Sequence, residues 1–138
     1  MLLAACGPPV QRTSVEEDTA AKAFAGPAAS MAAVYIYRGG NYAPHLPVDV
    51  RVIGFVQTRL PVNTFVRAEL PAGPNEVDCL INARPDRRRV ELLADRIRYF
   101  EVTIDHGEWG PFCLVTEVPS SVGRAHVRSA QRIPPLYP

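Results

Sequence analysis

Residues 98–104 read RYFEVTI, and the aliphatic and Phe side chains fall at every second position. Phe100, Val102 and Ile104 point to one side of an extended chain, and Tyr99, Glu101 and Thr103 to the other. A helix would repeat its apolar residues every three or four positions, so this stretch is a strand with one inward face. The same period recurs from Met31 onward. In AAVYIYR, Val34 and Ile36 share a side; in PVDVRVI, Val48, Val50 and Val52 do. In TFVRAEL, Val66, Ala68 and Leu70 alternate with Phe65, Arg67 and Glu69. In NEVDCLI, Val77, Cys79 and Ile81 line one side. RRVELLA is a weaker strand, and PFCLVTEV and AHVRSAQ are read as the strands that close the chain.

The breaks between these runs are turn chemistry. They are Arg38-Gly39-Gly40-Asn41, Leu70-Pro71-Ala72-Gly73-Pro74, Ala83-Arg84-Pro85-Asp86, Asp105-His106-Gly107-Glu108 and Pro119-Ser120-Ser121. The 14 prolines fall between apolar runs, which suits short strands joined by turns. The expected fold is a mainly β, antiparallel sandwich, immunoglobulin-like or transthyretin-like, of seven to eight short strands over residues 31–133. Each sheet is expected to bury one face, and the tight spacing argues against parallel βαβ units. Residues 134–138 are a tail.

With 138 residues, 47% of them hydrophobic, the chain has material for one domain with a core of ordinary size. Its net charge of +1 gives no electrostatic reason to expect nucleic acid as a partner. No apolar stretch approaches the roughly 18 residues that a membrane-spanning helix requires.

Residues 7–30 are rich in Pro, Ala, Ser and acids and read as a tether. Within it, EEDTAAKAF has the pattern of two helical turns, with Ala20, Ala23 and Phe24 on one face and Pro27 beyond the end. Ahead of the tether, Leu3-Ala4-Ala5-Cys6 resembles a bacterial lipobox, in which small residues precede a cysteine that is acylated and becomes the new N-terminus. Residues 1–6 are then the end of a lipoprotein signal peptide, with Cys6 as the lipidation site. Five residues are too few for a secretory signal, and none is basic, so the remainder of the signal is expected upstream of Met1. Gly7 follows the cysteine where an inner-membrane retention aspartate would stand, so the expected location is the outer membrane, facing the periplasm. The competing reading is a cytosolic binding module with an incidental Cys6.

Taken in order, these segments resemble the small bacterial lipoproteins of the family called domain of unknown function 2846. The matching parts are the lipobox, AAKAFAGP, the strands AAVYIYRG and VDVRVIGFV, the hairpin NTFVRAELPAGPNEV and the Tyr-Phe strand IRYFEVTI, within residues 1–118. Ile53-Gly54 stands where the family tends to carry an aspartate-glycine turn. Pro74-Asn75 stands where glutamate-histidine often follows its Pro-Gly turn. The resemblance implies a fold and a location and brings no activity, cofactor or catalytic residue.

Four constellations merit a chemical reading. Cys79 and Cys113 would form a disulfide in an oxidising compartment, closing a loop that stabilises by about 3 kcal/mol. The alternative is two small buried hydrophobes, because Cys113 alternates with the more apolar pair Phe112 and Leu114. Asp105, His106 and Glu108 would belong to a hydrolytic or metal site only if His45 or His126 came within reach of them; otherwise they are a solvated turn. Arg87-Arg88-Arg89 is either a phosphate contact or charge that guards a strand edge. Tyr35, Tyr37 and Tyr42, with the loop residue Trp109, are either packing or an aromatic patch for a glycan or envelope protein. Together they favour a lipid-anchored binding or structural module without cofactor; the alternative is a small periplasmic hydrolase or metal-binding enzyme using Asp105, His106 and Glu108.

Overall fold

The computed structural model describes residues 14–135, which form a β-sandwich with two helices on one outer face. The elements are α1 (Val15–Ala21), β1 (Met31–Arg38), β2 (Asp49–Val52), β3 (Val56–Arg59), β4 (Thr64–Pro71), β5 (Gly73–Ile81), β6 (Arg84–Leu92), β7 (Ile97–Gly107), β8 (Gly110–Val118), α2 (Ser120–Arg128) and β9 (Gln131–Arg132). One sheet has the order β8-β7-β1-β4-β9 and the other β3-β2-β5-β6. The lipidation candidate Cys6 lies outside the described residues.

The inward faces follow the alternation in the sequence. Val34, Ile36, Val48, Val50, Val52, Val77, Cys79, Ile81, Phe100, Val102 and Ile104 all lie in the core between the sheets. The turns pass through left-handed backbone, which suits Gly and Asn and costs Ala83 some steric strain. Gly54 (φ +85°) turns β2 into β3, and Asn82 and Ala83 (φ +50° and +61°) turn β5 into β6, one step ahead of the expected Ala83–Asp86 break. The strand β4 lies in the first sheet and β5 in the second, so the chain changes sheets at Ala72-Gly73.

Three expectations are corrected. First, the sandwich has nine strands and is not wholly antiparallel: β1 pairs in parallel with β7, and β9 in parallel with β4. Second, AHVRSAQ is not a strand. Residues 120–128 form α2, whose buried Gly123 and Val127 are four apart, the spacing of one helical face. Third, the first sheet buries both faces. Residues 32–38 of β1 are all buried, because Tyr35 and Tyr37 lie beneath the helices instead of in solvent.

A second core therefore sits on the outer side of that sheet. Tyr35 and Tyr99 stack at 5.1 Å, and Phe24 from the end of α1 meets Tyr35 at 5.5 Å. The Tyr35 hydroxyl donates to the Ala21 carbonyl (2.6 Å) and accepts from Arg67 Nε (3.2 Å). Arg124 Nε of α2 donates to the Tyr99 hydroxyl (3.1 Å). The helix α1 starts at a capping box in which Ser14 Oγ accepts from the Glu17 amide at 3.2 Å. Its buried residue is Ala21, joined by Phe24 just beyond it, not the expected Ala20–Ala23–Phe24 face. This part of the segment read as tether is thus packed against the sandwich.

Arg38 closes β1 with an inward guanidinium that is only 6% exposed. It has carbonyl partners: Nη1 donates to Leu46 (2.8 Å) and Leu60 (3.4 Å), and Nη2 to Ala43 (2.8 Å). Burial pulls its pKa down from the ordinary arginine value, while the carbonyls hold loop 39–47 over the core. Arg38→Met keeps the apolar stem and frees those carbonyls. The expected loss is about 1 kcal/mol, because removing a buried charge offsets part of the lost bonding. Amide exchange in residues 39–47 should accelerate well beyond exchange in the strands. Unchanged exchange there would show that the guanidinium does not hold the loop.

Candidate functional site

Two features stand out: the seam between β6 and β8, and the far end of the β7–β8 hairpin. At the seam, Cys79 of β5 and Cys113 of β8 form a disulfide with their Cα atoms 6.2 Å apart. Both cysteines are buried and both point between the sheets. The parity conflict is resolved because β8 turns Cys113 and Val115 inward, while Phe112 and Leu114 take the half-buried outer side.

The same seam is sewn by β6. Its inward period continues from Leu92 and Val90 into Arg88, Asp86 and Arg84. Arg88 Nε donates to the Val115 carbonyl (2.9 Å), Asp86 accepts from the Val115 amide (2.8 Å), and Arg84 Nη2 donates to the Pro111 carbonyl (2.7 Å). These side chains occupy backbone groups that the edge strand β8 would otherwise offer to another chain. The triplet Arg87-Arg88-Arg89 is therefore divided. Arg88 faces β8, whereas Arg87 and Arg89 face outward toward Asp78 (3.8 Å) and Glu76 (3.6 Å). Asp78 has 0% exposure and accepts a bidentate pair from Arg51 (2.9 and 2.6 Å). The sequence signal for the docking was present in the polar continuation of the β6 alternation, but its partner strand was not.

At the hairpin, β7 and β8 pair as far as Gly107 and Gly110, and the turn is Glu108-Trp109. Asp105 and His106, expected in the turn, are thus strand residues, and the turn lies later in the chain than the expected Asp105–Glu108 break. Asp105 accepts from the His106 amide (2.8 Å), and His106 Nδ1 shares a hydrogen bond with the Tyr42 hydroxyl (3.1 Å). The fold separates Tyr42 from Tyr35 and Tyr37. Tyr35 and Tyr37 lie in the outer core, and Tyr42 leans on the hairpin. His126 stacks on Tyr37 at 4.8 Å, on the α2 side of the sheet. Burial, with the Glu101 carboxylate in second place, pushes the Tyr37 pKa above its ordinary value. His45 is exposed in the loop before β2. Among the described residues no group of three or more His, Cys, Asp or Glu side chains is placed to hold a metal ion.

Trp109 is 84% exposed at the hairpin turn, with Tyr42 at 49% beside its base. On the outer side of the second sheet, Ile53, Phe55, Glu76 and Arg89 line an open groove of about 790 Å³. No family model, curated protein or solved structure matches this chain.

Proposed function

We propose that this chain is an extracytoplasmic lipoprotein module, held on a membrane by an acylated Cys6, that binds or braces a partner at the cell envelope. The observation that carries the reading is the Cys79–Cys113 disulfide, which joins the two sheets at their seam. Structural disulfides persist in oxidising compartments and are rare where thiols are kept reduced. The Leu3-Ala4-Ala5-Cys6 run supplies a matching route out of the cytosol and a third cysteine with a separate role. The ordered resemblance to the lipoproteins of domain of unknown function 2846 points to the same compartment. An outer-membrane position facing the periplasm follows from Gly7 after the acylated residue.

The test is the intact mass and membrane fractionation of the protein expressed from its native locus with the upstream DNA included. A membrane-bound product that begins at Cys6, carries acyl chains and has no free thiol is expected. Cys6→Ser should move the protein out of the membrane fraction. A soluble, unmodified product retaining Met1 would overturn the reading.

A further inference from the structure

The β7–β8 hairpin carries an aromatic residue at its turn. The parallel pairing of β1 with β7 stops at Arg38 and Val102, but Thr103 to Gly107 run on beyond it, paired with β8. At the rise of an extended chain, that is about 17 Å of ribbon past the end of β1, and its lower part packs on the second sheet through Ile104, Cys113 and Pro111. Trp109, the single tryptophan of the chain, sits at the tip of this ribbon. Its indole is 84% exposed, so most of its apolar surface is available to meet another surface.

The path of the N-terminal segment supplies an answer. Asp18 of α1 accepts from the Arg132 amide (2.7 Å), and Arg132 pairs with Phe65, which pairs with Tyr37 near the upper end of β1. Phe24 then packs lower, on Tyr35 and Tyr99, and the Ala28 amide donates to Glu69, the partner of Ala33. The chain therefore descends from Ser14 to Met31, and Ser14 stands at the end of the sandwich toward which the hairpin projects. Cys6 precedes Ser14 by eight positions, which is at most about 28 Å of chain. A membrane holding Cys6 therefore lies within reach of the end that carries Trp109 and Tyr42.

We infer that Trp109, with Tyr42 against His106 on the same hairpin, seats in the headgroup region of the membrane that anchors the chain. The inference rests on acylation of Cys6. Indole and phenol side chains suit that region because each has an apolar body and a polar tip. The part of the hairpin past β1 carries no Lys or Arg for anionic lipid, and its one imidazole, His106, is hydrogen-bonded to Tyr42. Asp105 and Glu108 are acidic, and Arg84 at the base is turned to the Pro111 carbonyl. The partner is thus a zwitterionic lipid surface. With the acyl anchor and the hairpin both engaged, the sandwich would be held in one orientation, with the open groove of the second sheet, at its Val52–Val77 end, away from the anchor point.

Because Trp109 is the only tryptophan, its fluorescence reports the contact directly. The full-length acylated protein, its modification verified by mass, is reconstituted into phosphatidylcholine–phosphatidylethanolamine vesicles. The expected result is a blue-shifted emission relative to the soluble Cys6→Ser protein, with loss of most of the intensity when the lipid is brominated just below the headgroups. Adding phosphatidylglycerol should weaken the quenching. Acylated, vesicle-bound protein with unshifted and unquenched emission would overturn the hairpin contact while leaving the anchor in place. A product without acyl chains would overturn the anchor and the contact together. A shift seen in native membranes but not in lipid vesicles would assign Trp109 to a protein or glycan and overturn the lipid contact. Stronger quenching on anionic vesicles would overturn the zwitterionic preference.

Discussion

Replacing both Cys79 and Cys113 by alanine is expected to lower the unfolding free energy by about 3 kcal/mol, and the melting midpoint by roughly 10 °C. The bond spans a sequence separation of 34, and cross-linking removes the freedom of that loop from the unfolded chain. Alanine is the suitable replacement because both cysteines are buried among apolar side chains and a hydroxyl there would lack a partner. The same burial predicts that the native protein resists reducing agent at room temperature and yields its thiols only as it unfolds. The β6 side chains hold the same seam independently, through Arg84, Asp86 and Arg88, so the alanine variant should remain folded. Thermal melts of the oxidised, reduced and doubly substituted proteins decide the matter. Superimposable melts would mean that the seam is held by β6 alone.

Gly123→Ala carries the second large effect, and two opposing terms set its sign. In an exposed helix this change would stabilise by up to about 1 kcal/mol, since alanine has the higher helix propensity. Here a Cβ on residue 123 would lie 2.5 Å from both Cβ and Cγ of Tyr99. Tyr99 cannot yield, because its ring is stacked on Tyr35 at 5.1 Å and edged by Phe24 at 6.2 Å. Relief requires α2 to lift from β7, which breaks the Arg124–Tyr99 bond and uncovers the outer core. Overpacking of this kind typically costs 1–3 kcal/mol, occasionally more. The net expectation is a loss of about 2 kcal/mol, with exposure of Tyr35 and Tyr99 visible in the near-ultraviolet circular dichroism. A neutral or stabilising change would show that α2 is not closely seated on the sheet.

The legible parts of this chain were those governed by neighbours in sequence. An alternating pattern specifies which residues share a face, so the inward set of Val34, Ile36, Val50, Val52, Val77, Cys79, Phe100, Val102 and Ile104 could be read directly. The misread segment, residues 125–131, shows why short patterns mislead: its alternation of His126, Val127 and Arg128 mimics a strand. The deciding contact is Gly123 and Val127 against a tyrosine more than 20 positions away in sequence.

By itself, the sequence determined a β-rich domain, most of its inward faces and two cysteines suited to one bond. Only the tertiary structure decided that β1 lies parallel to β7, that its tyrosines are covered by helices, that Arg38 donates to loop carbonyls and that Tyr42 meets His106. The reason is the range of the forces involved. Alternation and turn preference are set by a residue's own backbone and its immediate neighbours. Pairing partners and second buried faces depend on which distant surfaces exclude water together, and a tyrosine on a strand suits a wet face or a covered one equally well until that partner is in place.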